Sequence, residues 1–334
     1  MTGVDARAYS DERMKLSFPV ICIVGPTASG KSDLAQRVAA ELNGEVVSAD
    51  SMQVYRGMDV GTGKVPPCER LVAHHGFDLV DPGEPYSAAL FQRFARDCFE
   101  DIDARGKRVV LCGGTGFYVR AAIDDYVFPA GEQVGNATRD TYNALAEQLG
   151  PHGLWKLLNE RDPESATLIP ENDTKRVVRA FELMDAGTSY AKQKEGLKSI
   201  AEYAPATMIG LHVDADVLRE RIDKRVDSMF ANGFVAEVRN LLQAGLRDGI
   251  TAPQAIGYKE VVAALDGEIT LEEAATRMKT ATHRYAKRQR TWFRKDARII
   301  WINATELTLD DMTEAALEIV EAAELTPMTP HGLV

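Results

Sequence analysis

The sequence predicts an α/β fold, a parallel sheet flanked by helices and interrupted by an all-helical insertion domain. Three observations predict it. Short apolar runs rich in β-branched residues recur at "FPVICIV" (18–24), "GEVVSAD" (44–50) and "RVVLCGGTG" (108–116), the pattern of strands buried on both faces. Helix-periodic segments separate them, "SDLAQRVAAEL" after Lys31 and "SAALFQRFARDCFEDIDARG" before the third run. Strands alternating with helices wind into a parallel, doubly wound sheet. From about 126 to 205 the texture becomes helical without strands: "RDTYNALAEQLG", "PHGLWKLLNERD" and "NDTKRVVRAFELMDAG" follow a turn-rich "VFPAGEQVGNATRD". "TMIGLHVDAD" (207–216) then reads as a return to the sheet, with long helices after it. The expected organisation is a discontinuous core of 18–125 and 206–303, an insertion at 126–205, and an acidic tail at 304–334. That tail holds seven acidic and no Lys or Arg residues and reads as an amphipathic helix with a frayed, proline-containing end.

At 334 residues, 45% hydrophobic and 27% charged, the composition is that of an ordinary globular protein. A formal charge of −11 excludes nucleic-acid binding through the overall field. Cys22, Cys68, Cys98 and Cys112 form no C-x-x-C pair and read as reduced thiols of a cytoplasmic protein. The polar, mixed-charge N-terminus lacks an apolar signal segment, and no apolar run is long enough to cross a bilayer.

Between the first strand and its helix stands "GPTASGKS", a G-x-x-x-x-G-K-[ST] phosphate-binding loop with Gly25, Gly30, Lys31 and Ser32 in the defining places. Its glycines let backbone N–H groups turn onto a phosphate at the positive end of the next helix. Lys31 supplies a mobile positive charge and the Ser32 hydroxyl a ligand for Mg²⁺. The sheet is therefore P-loop NTPase-like. An ATPase usually adds an apolar strand ending in Asp, whereas "RVVLCGG" ends in Cys112, Gly113 and Gly114. Asp81, after "FDLV", reads as a turn residue before Pro82.

The second strand runs into "SADSMQVYRGMDVGTGK", which places Asp50 and Ser51 at the ligand crevice of a parallel sheet. Asp50 is either a general base there or the cap of the next helix. "GGTGFY" brings backbone N–H groups and the Thr115 hydroxyl to the same crevice, or is a tight structural turn. "HRYAKRQRTWFRKDAR" (283–298) carries seven Lys/Arg and one Asp, a net +6 that leaves −17 on the rest of the chain. Tyr285, Trp292 and Phe293 interleave with those cations, the composition of a surface that tracks a phosphate backbone and stacks bases. The alternative is a basic surface helix whose aromatics face the core. Arg221 and Arg225 border the apolar face of "LRERIDKRVDSMF" and either reach a diphosphate or pair with Asp223 or Asp227.

Taken in order, "GPTASGKS", "SADSMQVYRGMDVGTGK", "GGTGFY", "NDTKRVVRAFEL", "RIDKRVDSMFANGFVAEV", "AIGYKE" and "YAKRQRTWFR" resemble the tRNA dimethylallyltransferase (tRNA isopentenyltransferase) family, bacterial type, from about Val20 to Asn303. The resemblance implies transfer of a dimethylallyl group from its diphosphate to N6 of the adenosine next to the anticodon, in tRNAs reading codons that begin with U. It implies Mg²⁺, a monomer, and tRNA and dimethylallyl diphosphate as partners, with no membrane partner. By resemblance Gly25, Thr27, Ala28, Ser29, Gly30, Lys31 and Ser32 hold the diphosphate, with Ser32 also on the metal. Asp50 is then the base on the adenine amine, Thr115 a site contact and Arg225 a diphosphate ligand. The implied tRNA contacts are Asp50, Ser51, Met52, Gln53, Thr115, Arg139, Lys175, Arg176, Arg179, Gln254, Gly257, Tyr258, Lys259, Lys287, Arg288, Gln289, Arg290, Trp292 and Arg294. The register of Arg139 is the least fixed, because "FPAGEQVGNATRD" departs from the family's Pro-rich turn. A small-molecule kinase would account for residues 20–116 alone, and an RNA-binding module with a nucleotide switch would give Asp50 and "GGTGFY" no task.

Overall fold

Apolar run, turn and amphipathic helix repeat along the first third of the chain, and a computed structural model shows what they build. It describes residues 13–128, 136–196 and 200–325. β1 (Val20–Val24) is buried at every position and passes through the phosphate loop into α1 (Lys31–Glu41), which turns Leu34, Ala35 and Val38 inward. β2 (Gly44–Ser48) is also fully buried, and β3 (His74–His75) is a two-residue edge strand. Ser87 starts α2 (Ala88–Ala104) by accepting the Leu90 N–H at 3.2 Å, an N-cap that satisfies an otherwise unpaired donor. β4 (Arg108–Gly113) and α3 (Gly116–Ile123) complete this half.

After α3 come four helices without a strand: α4 (Ala137–Arg161), α5 (Pro163–Thr167), α6 (Thr174–Asp185) and α7 (Tyr190–Gly196). α4 breaks at Gly150 (φ 71°, ψ 169°) just before Pro151, so the two short helices read from the sequence are its two segments. The sheet resumes with β5 (Ala206–His212), followed by α8 (Ala215–Ala231), α9 (Phe234–Gln243), α10 (Tyr258–Leu265), α11 (Leu271–Phe293), β6 (Ile300–Asn303) and α12 (Leu309–Leu325).

The six strands lie in the order β3-β2-β4-β1-β5-β6, all parallel. From β1 the chain leaves toward β2, and from β4 it leaves toward β5, so the switch point falls between β1 and β4. Ligands of open parallel sheets bind outside the strands' carboxyl ends at such a point. The phosphate loop and "GGTG" sit there.

The chain divides into two compact units, Met1–Asp124 with Glu202–Val334, and Asp125–Ala201. The second has its own core of Leu154, Leu158, Val177 and Phe181, with Tyr142 stacked on Phe181. The stretch expected to be an acidic tail contributes α12 to the first unit, where Met312, Ala316 and Val320 are buried and the helix packs on α1. Part of the turn-rich stretch before Arg139 (129–135) and the chain ends at 1–12 and 326–334 lie outside the described residues.

β2 also carries a buried carboxylate. Glu45 accepts from Arg105, from Lys107 at 2.7 Å and from His75 at 2.7 Å. Arg105 above all holds its carboxyl well below the usual carboxylate range, against the upward push of burial. A folded pKa below the unfolded one gives a stabilisation complete above the unfolded value of about 4.3 and lost as pH falls below it. Glu45→Gln should therefore flatten the acid limb of the melting-temperature profile below about pH 4.3. A limb as steep as in the unaltered protein would show that other carboxylates drive acid unfolding.

Candidate active site

The phosphate loop closes because two residues adopt backbone conformations that ordinary residues avoid. Gly30 lies at φ 90°, and Ala28, which has a Cβ, lies in the left-handed region at φ 61°. A non-glycine residue there is uncommon and marks a segment over-determined by its surroundings. One of those surroundings is Gln289 of α11, whose Oε1 accepts the Thr27 N–H at 2.9 Å while its Nε2 donates to the Gly114 carbonyl at 2.9 Å. A single buried amide thus ties the phosphate loop to the glycine turn after β4.

Around this tie lies a cavity lined by Thr27, Lys31, Ser32, Asp50, Arg225 and Tyr285, among others. Lys31 Nζ donates to the Pro26 carbonyl at 3.3 Å. Arg225, on α8, makes no hydrogen bond or ion pair among the described residues, although it lies near Asp50 and Asp33. Burial lowers the pKa of both cations, and for Lys31 the nearby Arg225 lowers it further. Two partly dehydrated positive charges without a close carboxylate partner form a place for an anion. Arg221, the other member of the pair read from the sequence, donates instead to the Ala304 and Thr305 carbonyls. Of the alternative partners, Asp227 pairs with Lys279, and Asp223 lies 2.9 Å from His283.

Asp50 stands past the carboxyl end of β2. Its Oδ1 accepts the Met52 N–H at 2.9 Å, and the carboxylate lines the cavity. A turn follows it, where the sequence offered a helix cap. Thr115, at the start of α3, accepts the Ser51 N–H at 3.1 Å and so joins the segment after β2 to the one after β4. Tyr285 completes the wall. Burial first, and then the charge of Asp50, push its phenol up to about 12, while Thr115 and Gln289 oppose the shift as hydrogen-bonding neighbours. Sequence composition marks Tyr285 only as an aromatic of the basic segment and not as part of this cavity. The signal was available: positions 285, 289 and 292 share one face of a helix.

Two side chains expected at an RNA surface are buried. Tyr258, expected at an RNA surface, is fully buried and donates to Glu237 at 2.6 Å, on the carboxylate that also accepts the N–H groups of Asp59, Val60 and Gly61. Gln289 is buried with both ends of its amide occupied, so it holds the loop. Gln53 is half-buried and lines the cavity, with its amide accepting from Ser48 Oγ at 2.7 Å and donating to the Thr62 and Gly63 carbonyls. Arg298, the last cation of the basic segment, pairs with the buried Asp124 and with Asp296. Gly257 is buried at φ 92°, and Gln254 and Lys259 beside it are exposed.

The rest of the basic segment divides by face. Ala286, Gln289 and Phe293 point inward on α11, whereas Lys287, Arg288, Trp292 and Arg294 are exposed and Arg290 is half-buried. Trp292 is 44% exposed with one ring edge against Gly116, where an added Cβ would meet it at 2.1 Å. Ser51 and Met52 are half-buried. In the second unit Lys175 and Arg176 are exposed, Arg176 pairing with Asp173. Arg139 and Arg179 converge on buried Glu182 at 2.6 and 3.1 Å. Burial raises the Glu182 pKa, but the two arginines outweigh it and the net shift is downward.

A phosphate loop, two unpaired cations and a carboxylate on one cavity of a P-loop sheet define a group-transfer enzyme that acts on a phosphorylated compound. The family profile described as IPP transferase matches residues 53–296, and that described as isopentenyl transferase matches residues 18–73. The chain belongs to this IPP transferase family and is a prenyltransferase. A tRNA dimethylallyltransferase of Carboxydothermus hydrogenoformans is 44% identical over 303 residues, 90% of this chain and 96% of that one. Among solved structures, the tRNA isopentenylpyrophosphate transferase of Bacillus halodurans superposes with a TM-score of 0.66 at 39% identity, over 92% of this chain and 98% of that one. A eukaryotic dimethylallyltransferase acting on tRNA superposes with a TM-score of 0.77 at 29% identity, over 94% and 82%. Among the described residues no helix is long and apolar enough to cross a membrane.

Proposed function

We propose that this chain transfers the dimethylallyl group of dimethylallyl diphosphate to N6 of the adenosine next to the anticodon, in tRNAs reading codons that begin with U. The observation that carries this reading is the placement of unpaired Lys31 and Arg225 on the same cavity as Asp50. The C–O bond to the diphosphate breaks and its electron pair leaves with the diphosphate. The N6 lone pair forms the new C–N bond, and an N6 proton passes to the Asp50 carboxylate. Positive charge on the allylic carbon and negative charge on the leaving group grow together, so cations fixed at the diphosphate end lower the barrier. The acceptor base must leave its stack to enter the cavity.

The oxygen donors present, the Ser32 hydroxyl with the Asp50 carboxylate on the same cavity, suit a hard cation that shares its shell with substrate phosphates. Ser32 would hold Mg²⁺, which when bound neutralises charge on the diphosphate. The protein acts as a cytoplasmic monomer in this reading. Incubation with unmodified tRNA and either labelled dimethylallyl diphosphate or labelled ATP tests it. The prenyl label should move to an adenine amine. Movement of the ATP label in its place defeats the reading in favour of a kinase.

In the first unit the tRNA contacts of this proposal are Ser51 and Met52 at the cavity and the exposed face of α11; the second unit, taken by itself, offers Arg139, Lys175, Arg176 and Arg179. Replacing any two of Lys287, Arg288, Arg290 and Arg294 by Ala should weaken tRNA binding. It should also make the log–log salt dependence shallower, by roughly 0.7–0.9 for each phosphate that is no longer neutralised. Titrations at three or more ionic strengths read this directly. An unchanged slope would leave α11 a structural helix.

A further inference from the structure

The cavity has an apolar end to which the transfer chemistry gives no task. Alternate residues of a strand face the same way, so Val46, Ser48 and Asp50 follow one face of β2 and its extension, and all three line the cavity. Along that face the lining changes from carboxylate to hydroxyl to isopropyl. Val46 pairs in register with His74 of β3. His74 lines the same cavity, its ring stacked on Phe77 with centroids 5.6 Å apart and planes 25° apart. Over the Phe77 ring lies the guanidinium of Arg70, 5.0 Å from the centroid, its Nε donating to the Val65 carbonyl at 3.0 Å. His74 Nδ1 lies 2.9 Å from the Val72 carbonyl, and burial lowers the pKa of the ring, with Arg70 and His75 adding to the effect. Burial thus disfavours the charged form of the ring, and Val46 and Phe77 give this end of the cavity its apolar surface.

The anion-binding groups stand at the other end. Lys31 and Ser32 lie against β4, where Cys112 Sγ donates to the Lys31 carbonyl at 3.5 Å, and β4 lies two strand spacings from β3, about 10 Å. A donor with its diphosphate at Lys31, Ser32 and Arg225 and its reacting carbon near Asp50 therefore has its hydrocarbon tail toward Val46 and His74.

We propose that Val46, His74 and Phe77 form the floor on which the isoprenoid tail of the donor ends, and that the Phe77–His74 stack sets the donor's chain length. This rests on the donor assignment made under the proposed function. A tail one isoprene unit longer would have to occupy the volume of the stacked rings. Phe77 is half-buried on an edge segment, so shortening it opens the floor without cutting into the sheet.

The test is Phe77→Ala, assayed with unmodified tRNA and either dimethylallyl or geranyl diphosphate. The ratio of kcat/KM for geranyl over dimethylallyl diphosphate should rise at least about tenfold, as expected when a pocket gains room for several methylene groups. Phe77→Leu should give a smaller rise. The affinity for inorganic diphosphate and the KM for tRNA should stay as they were. If Phe77→Ala melts early, Phe77→Leu, which removes the ring but keeps an apolar side chain, reads the same ratio. An unchanged ratio in both variants overturns the inference. So does a raised KM for tRNA at constant donor ratio, which would assign the apolar end to the acceptor base. Failure of the unaltered protein to move the dimethylallyl label defeats the functional reading itself, whereas transfer with an unshifted ratio defeats only the floor.

Discussion

Asp50→Ala should lower turnover by at least about a hundredfold, the usual scale for losing a positioned general base, with little change in tRNA affinity or in binding of inorganic diphosphate. This carboxylate has two tasks, and one substitution cannot separate them. Its Oδ1 accepts the Met52 N–H, so Ala also removes a turn hydrogen bond worth about 1 kcal/mol. Asp50→Asn separates the two. The amide oxygen still accepts from Met52, so the melting temperature should hold, but the amide cannot take a proton and turnover should stay as low as in the Ala variant. If Asn restores turnover to within a few-fold, Asp50 organises the turn and the base lies elsewhere. A local conformational cause would instead show as activity tracking melting temperature across the two variants.

Much of this site was legible because its information is local. The loop "GPTASGKS" states its own geometry in eight residues, and β1, β2 and β4 each announce themselves as an apolar run. What escaped was either short or long-range. β3 is two histidines, with no apolar run to reveal it, yet it carries one wall of the cavity. β6 is an edge strand exposed at three of its four positions, and it follows a basic segment whose composition draws the eye. Tyr258 and Gln289 have polar groups that suit a surface, and their burial is bearable because each is satisfied inside, Tyr258 by the Glu237 carboxylate 21 residues away. The pairing of Arg139 is long-range too, although Arg179 reaches the same carboxylate from only three residues away. Their shared carboxylate, Glu182, is 43 residues from Arg139, a separation at which sequence pattern carries no signal. Basic composition located the α11 surface, but only helical phase shows that Tyr285 turns into the cavity while Lys287 and Arg288 turn out.

Arg225→Ala should cost about 10²–10³-fold in turnover, the range for removing one donor aimed at developing charge. Lys31→Ala should cost a comparable factor and in addition abolish thermal protection by dimethylallyl diphosphate. The argument for Arg225 rests on what holds it. Among the described residues no carboxylate pairs with it, and its guanidinium lies against Gly63, which sits at φ 63° and where an added Cβ would stand 1.8 Å from one of its terminal nitrogens. Gly63 therefore serves both its own left-handed conformation and the path of the arginine. Gly63→Ala should reproduce much of the Arg225→Ala loss without touching a charged group, because the methyl displaces the guanidinium from the cavity. The form of the loss is informative. A drop in kcat at unchanged donor affinity means that Arg225 grips the diphosphate more tightly as it departs, whereas a rise in donor KM at constant kcat means equal grip on donor and transition state. Full activity in Gly63→Ala together with a large loss in Arg225→Ala would show that the arginine reaches the diphosphate by another path.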